Sequence, residues 1–291
     1  MEPTISVVIP CYEAAETVAE AVESALSQST PPYEVIVCDD GSTDRPERAL
    51  ATLLDRIRLL RKENGGGASA LNHAAEAATG DFIAILDADD RYEPGRLEAV
   101  TALAVERPEL ELLMTDAWLE QEGARIGRYS DVNPFPAGDQ RAAILDTCFP
   151  GGWPAVRRRT LLDAGAFDES YRIAYDWECW ARLIHKGARV GMVAEPLMTY
   201  RIHRGSLSSD TVASLRERLR LFDASAHWQL MPHERRVLDA SIARDRRRLA
   251  FEELAAATKR GSRRDLFKFA FRAHVPLRAR ATAARAGLRR Q

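Results

Sequence analysis

Phe82-Ile83-Ala84-Ile85-Leu86-Asp87-Ala88-Asp89-Asp90 decides how this chain reads. A short unbroken apolar run fits a strand buried on both faces. Three carboxylates then follow within four positions. Like charges repel, so such a cluster at the end of a buried strand is costly without a cation. Asp at i and i+2 on a strand end can both reach one hard divalent ion, and oxygen ligands suit Mg²⁺ or Mn²⁺. An ion held there can also hold a diphosphate. An earlier run, Tyr33-Glu34-Val35-Ile36-Val37-Cys38-Asp39-Asp40-Gly41-Ser42, closes in the same way. Turn and helix-cap chemistry explains either run alone. Open α/β sheets bind ligands at the carboxyl ends of their strands, so the two runs together point to one nucleotide site.

Around these runs the first half of the chain alternates. Ile5 to Ile9 is a β-branched strand stopped by Pro10. Ala14 to Gln28 is helical, with Val18, Ala21, Val22 and Ala25 on one face. Val35 to Cys38, Ile57 to Leu60, Phe82 to Leu86 and Leu110 to Thr115 read as further strands. Pro46 to Leu54, Ala68 to Ala78 and Pro94 to Glu106 read as helices. This rhythm predicts an α/β fold, with a mostly parallel Rossmann-like sheet covered by helices on both faces. Residues 117–150 read as irregular. A helix near Arg158–Ala164 and another over Asp176–Lys186 follow, then short strands at Val190–Val193 and Leu197–Arg201. From Asp210 the pattern is helical, in about three helices, with Gly261-Ser262 separating two of them. The expected organisation is a catalytic part over 1–209, split into a nucleotide-binding half (1–116) and an acceptor half (117–209). A helical C-terminal extension covers 210–291.

With 291 residues, 46% hydrophobic and 29% charged, the composition is that of a water-soluble globular protein. No apolar run approaches the roughly 20 residues of a membrane helix, and a strand-like run begins by Ile5, which predicts a cytoplasmic protein. Cys11, Cys38, Cys148 and Cys179 are widely spaced, which argues against a zinc knot or a disulfide framework. Charge is uneven. Residues 1–209 carry 21 Lys and Arg against 34 Asp and Glu, whereas 210–291 carry 20 against 9.

Several stretches, in order, resemble family 2 glycosyltransferases with the A-type (GT-A) fold. They are Ile9-Pro10-Cys11-Tyr12, Ser27-Gln28-Ser29, Glu34 to Asp44, Asn64-Gly65-Gly66-Gly67-Ala68 with Asn72, and Gly80 to Asp90. Later come Gly165-Ala166-Phe167-Asp168-Glu169, Asp176-Trp177-Glu178-Cys179-Trp180 and Tyr200-Arg201-Ile202-His203. The resemblance covers roughly 4–208. It implies transfer of a sugar from a nucleoside diphosphate donor, UDP- or dTDP-sugar favoured, to an acceptor hydroxyl with inversion at the anomeric carbon. Three departures stand out. Glu13 replaces the usual Asn, Leu71 the usual Arg, and Tyr175 the first carboxylate of the acidic pair that commonly precedes the Trp.

The resemblance implies a role for each group. Pro10, Tyr12, Asp39, Asp40, Gly67, Asn72 and Asp87 would bind the nucleotide. Tyr12 offers a ring for base stacking, and an Asp carboxylate can accept from an imide N–H. The resemblance favours Asp40 over Asp39 for that contact. Gly65 to Gly67, ahead of a helix, offer N–H groups to an anion. Asp89 and Asp87 would hold Mn²⁺ or Mg²⁺, with His203 as a third partner, while Asp90 caps the next helix. Arg201 and Arg204 would clamp phosphate. Asp176 is the candidate general base, with Glu178 as its alternate, since inversion needs a group to take the acceptor proton. Trp153, Trp177 and Trp180 would shape the donor and acceptor pockets.

The acceptor stays unnamed: a saccharide, a lipid-linked glycan or a small molecule. The basic C-terminal helices are expected to pack, to form a homodimer, or to meet anionic lipid. No nucleic-acid recognition module is present. A nucleotidyltransferase would carry a Gly-rich, basic signature after the first strand, and Pro10-Cys11-Tyr12-Glu13 has none. A sugar-nucleotide-binding module without turnover is the remaining alternative.

Overall fold

The structure, a computed structural model, describes residues 2–203, 205–206 and 209–260. The chain divides into two units, Met1–Ser206 and Leu207–Gln291.

The first unit is built on one mixed sheet in the order β3-β2-β1-β4-β8-β6-β9-β5. Its parallel part is made of β1 (Ile5–Cys11), β2 (Glu34–Asp39), β3 (Arg58–Arg61) and β4 (Phe82–Ile85). β1, β2 and β4 are legible because both faces are covered, whereas β3 exposes Arg58 and Arg61. Val7, Val8, Ile9, Ile36, Val37 and Ile83 are essentially inaccessible to water. Between them lie α1 (Val18–Leu26), the short α2 (Pro46–Ala49) and α3 (Gly67–Ala77), as the alternation predicted. Pro10 does not stop β1. Its missing N–H would face β4, and that ladder has already ended where the Leu86 N–H meets the Val8 carbonyl at 3.0 Å. On the other side β1 continues, with Pro10 opposite Cys38 and Cys11 opposite Asp39. Both acidic strand ends therefore lie at the same edge of the sheet.

Beyond β4 the directions alternate. β8 (Ala155–Arg157) runs antiparallel to both β4 and β6 (Leu112–Gln121). β9 (Val190–Ile202) returns parallel to β6, and β5 (Arg91–Tyr92) pairs antiparallel with its end. The region 117–150 is more ordered than expected. β6 extends to Gln121 and forms a hairpin with β7 (Ala124–Arg128), and α5 (Tyr129–Val132) and α6 (Gln140–Ile144) follow. The two short strands expected near 190–201 are one strand. Pairing with β6 continues through two register shifts, one on each side of the Asp116–Pro196 pair. α4 (Arg96–Glu106) starts after Gly95, which is in a left-handed conformation (φ 83°), and the Glu93 N–H ahead of it bonds the Leu197 carbonyl at 3.0 Å. α7 (Arg158–Asp163) and α8 (Tyr175–His185) complete the unit.

The second unit holds α9 (Thr211–Ser225) and α10 (Pro232–Arg260). Asp210 caps α9 by accepting the Ala213 N–H at 3.0 Å. Buried Asp245 on α10 pairs with Arg218 of α9 at 2.7 Å and with Arg244 at 3.1 Å. The expected break at Gly261-Ser262 and the basic tail beyond it lie outside the described residues, as does Arg204. No helix among the described residues is long and apolar enough to cross a membrane.

Candidate active site

The acidic turn after β4 is closed by the Asp90 N–H bonding the Asp87 carbonyl at 3.1 Å. Alternation across the turn separates the three carboxylates. Asp87 and Asp89 keep partial access to solvent, and Asp90 is buried. Asp90 does not cap a helix. Its Oδ1 accepts the Arg201 N–H at 2.8 Å, and its Oδ2 has no hydrogen-bond partner among the described residues. That bond ties the end of β9 to the turn. Two residues further on, His203 Nε2 comes within 2.7 Å of Asp89 Oδ2. Gly205 donates its N–H to His203 Nδ1 at 3.1 Å, so the imidazole donates to Asp89 from Nε2. Burial, with the charges of Asp89 and Asp176, pushes Asp87 up to about 8. Burial and the charges of Asp87 and Asp89 hold Asp90 well above the ordinary carboxylate range. A hard cation would relieve both, so the donor set fits Mg²⁺ or Mn²⁺ through Asp87 and Asp89. His203 joins as a ligand only through Nε2, once Nδ1 takes the proton and its bond with Gly205 opens.

The opposing wall is the start of α8. Asp176 lies in the first turn, with Oδ1 accepting the Trp177 N–H at 2.7 Å. It is not the cap, which is Ala174. Burial raises Asp176 to about 6, and backbone hydrogen bonds pull the other way. Gly152 sits between the two acidic walls. A Cβ there would lie 3.4 Å from Asp176 Oδ2 and 3.9 Å from Asp87 Oδ2. Sequence reasoning missed Gly152 because a Gly-Gly pair reads only as a turn. It also gave no function to Tyr175, whose hydroxyl lies against Gly67. The signal for Tyr175 was its departure from the usual acidic pair.

The side expected to meet the nucleotide lies at the end of β2. Asp39 accepts the Ser42 N–H at 2.8 Å and faces Arg61 at 3.4 Å. Asp40 accepts from the Gly65 N–H at 3.0 Å, the Gly66 N–H at 2.7 Å and Lys62 Nζ at 2.8 Å. The anion held by the glycine loop is thus a carboxylate of the chain itself, which corrects the expectation of a loop open to phosphate. Tyr12 stands just beyond β1, 55% exposed. Glu13 adopts φ 50°, a conformation Asn tolerates better. Its carboxylate accepts the Thr43 N–H and hydroxyl at 2.8 and 2.9 Å, which ties this loop to the one after β2.

Other expected contacts resolve into bracing. Asn72, expected at the nucleotide, is engaged by the protein itself. Its amide donates to the Phe167 carbonyl at 2.9 Å and accepts the Phe167 N–H at 2.9 Å. Arg201 reaches Glu20 and, at 3.5 Å, Glu120, so nearby carboxylates take the place expected for phosphate. Trp177 and Trp180 are buried, and their ring N–H groups are fixed to the carbonyls of Ile144 and Gly151 at 2.7 and 2.8 Å. They brace α8. Trp153, 3% exposed, packs on Tyr129 and Tyr200, with ring centroids 4.9 and 5.3 Å away. Glu178 pairs with Arg182 at 2.8 Å, which removes it as the alternate base.

The family model described as "Glycosyl transferase family 2" matches residues 6–163. EpsE of Bacillus subtilis (strain 168), named as a glycosyltransferase, is 33% identical over 217 residues, covering 68% of this chain and 73% of its own length. The chondroitin synthase of Pasteurella multocida (strain Pm70) is 41% identical over 99 residues, 33% of this chain and 10% of that protein. Among solved structures, S. aureus TarS 1–349 in complex with UDP-GlcNAc gives a TM-score of 0.69 at 19% identity, covering 98% of this chain and 88% of that one. The mannosyltransferase PcManGT of Pyrobaculum calidifontis, in complex with GDP-Man and Mn²⁺, gives 0.65 at 21% identity, covering 99% and 87%. These two likenesses show the fold, which is GT-A. Taken with the family match, they identify the chain as an enzyme: it belongs to the family 2 glycosyltransferases.

Proposed function

We propose that this chain is an inverting, divalent-cation-dependent glycosyltransferase acting in the cytoplasm. It takes a sugar from a nucleoside diphosphate donor, with UDP- and dTDP-sugars favoured. The observation that carries this reading is the pair of acidic walls on either side of Gly152, Asp176 on one and the Asp87–Asp89 turn on the other. An acceptor hydroxyl attacks the anomeric carbon on the face opposite the diphosphate. Asp176 takes the hydroxyl proton, the new glycosidic C–O bond forms, and the anomeric C–O bond to the diphosphate breaks. Its electron pair leaves on the diphosphate oxygen. Asp89 and Asp87, with His203 through Nε2, would hold Mn²⁺ or Mg²⁺, which would supply positive charge to that leaving group.

Asp40 reads the base by giving up one of its loop bonds to an imide N–H, beside the exposed ring of Tyr12. The complexes named for TarS and PcManGT support a nucleotide-sugar donor. The acceptor is a saccharide, a lipid-linked glycan or a small molecule. The basic C-terminal part would contact a second copy or an anionic membrane, which mass photometry and vesicle co-sedimentation separate. The central test is a thermal-shift panel of UDP, dTDP, GDP and ADP with Mn²⁺ and with chelator. The reading expects a much larger shift in Mn²⁺, because a ligand stabilises the state that binds it. The shift should be lost in Asp89→Ala. Equal shifts in metal and chelator would overturn the metal-linked donor site.

A further inference from the structure

Tyr175 stands immediately before Asp176, and its side chain is fixed from two directions. Phe167 meets the ring edge-on, with centroids 6.0 Å apart and planes at 88°. Phe167 is itself held by both amide bonds of Asn72. On the other side the phenol rests on Gly67, the first residue of α3. A Cβ at Gly67 would come 3.0 Å from the hydroxyl and 3.3 Å from the ring. The glycine is what leaves room for the phenol. Asn72, Phe167, Tyr175 and Gly67 thus form a closed brace from α3 to α8 and back.

The hydroxyl it presents makes no hydrogen bond to any described residue. Tyr175 is half-buried, which leaves its hydroxyl open to a ligand or to solvent. Burial and the charges of Asp87, Asp176 and Asp89 keep the phenol protonated, so it has an O–H to donate. What it lacks is an acceptor oxygen. The start of α3 beside it already holds one anion, the Asp40 carboxylate, through the Gly65 and Gly66 N–H groups. A carboxylate at position 175, the usual one in the family this chain resembles, would repel a phosphate.

We propose that the Tyr175 hydroxyl donates a hydrogen bond to a non-bridging oxygen of the donor's β-phosphate. This makes it a second contact to the phosphates beside the acidic turn. The inference rests on the donor reading above.

The test is a ratio. Affinities of UDP against UMP, and of GDP against GMP, are measured by calorimetry in Mn²⁺ for the wild type, Tyr175→Phe and Gly67→Ala. Tyr175→Phe removes one oxygen and keeps the ring on Phe167. Gly67→Ala keeps the phenol and displaces it. A hydrogen bond to a charged oxygen is worth about tenfold or more in affinity. The diphosphate-to-monophosphate ratio should therefore shrink by about that factor in Tyr175→Phe, and in the same direction in Gly67→Ala. Monophosphate affinity should stay within about twofold. A general structural defect would weaken both nucleotides together and leave the ratio unchanged, and an unchanged ratio in folded Tyr175→Phe overturns the proposal. A wild type that binds neither diphosphate defeats the donor reading itself, a different and recognisable failure.

Discussion

Asp176→Asn is the substitution in which mechanism and stability pull apart. The side chain keeps its size, and Asn Oδ1 can still accept the Trp177 N–H, so α8 should start as before. What changes is a carboxylate raised by burial from 3.8 to about 6. Because the folded-state value is raised, the neutral form is the one the fold favours. The penalty for ionising is absent below pH 4, grows between 4 and 6, and is complete above 6. At about 1.4 kcal/mol per pH unit, it amounts to about 3 kcal/mol at neutral pH. Asn carries no such penalty. The variant should match the wild type in melting temperature near pH 4. At pH 7 it should melt several degrees higher, at about 2–4 °C per kcal/mol for a unit of this size. Activity should move the other way. In the wild type kcat falls about tenfold for each pH unit below 6, as the base becomes protonated. In Asp176→Asn kcat drops by about 10²–10⁴ and that acid limb disappears, with nucleotide affinity little changed. The assay is nucleoside diphosphate release over pH 4.5–8.5, with a donor and acceptor found by panel screening, beside melting curves in the same buffers. A folded variant with near wild-type kcat, or one that keeps the acid limb, would refute the assignment of Asp176 as the base.

Asp89→Ala and His203→Ala should both weaken Mn²⁺ binding in a titration followed by electron paramagnetic resonance. Asp89→Ala should be the more severe, because it removes a charged ligand and His203 is engaged through Asp89. Asn72→Ala breaks both backbone bonds to Phe167 and should cost about 1–3 kcal/mol in denaturant unfolding, with an unchanged pH–rate profile. Glu178→Gln should lower stability through its pair with Arg182 and leave kcat within about twofold, as measured in the same release assay.

β1, β2 and β4 were legible because they are largely apolar runs, and the acidic strand ends marked the site at the edge of the sheet. The stretch from 117 to 150 was not. Its strands form by pairing with partners distant in sequence, and its own residues carry no clear period. β9 was read as two pieces because Glu195-Pro196 interrupts the pattern, whereas pairing with β6 carries the strand across it. Arg201 shows a limit of a different kind. A guanidinium two residues from His203 reads as a phosphate clamp until Glu20, 181 positions away, is seen beside it. Asn72, Trp177 and Trp180 are polar or aromatic residues inside recognisable motifs, and a motif does not reveal whether its members face a ligand or one another.

Asp40's grip on Gly65 and Gly66 has a consequence for how ligand binding would be seen. Most amides near a binding site exchange their protons with solvent more slowly once a ligand covers them. These two are already protected, by a carboxylate belonging to the chain. A base that draws Asp40 toward its own N–H loosens that hold, so Gly65 and Gly66 should exchange faster in the complex while their surroundings slow. Inverse protection at two consecutive glycines would then report base recognition separately from occupancy of the metal and phosphate side.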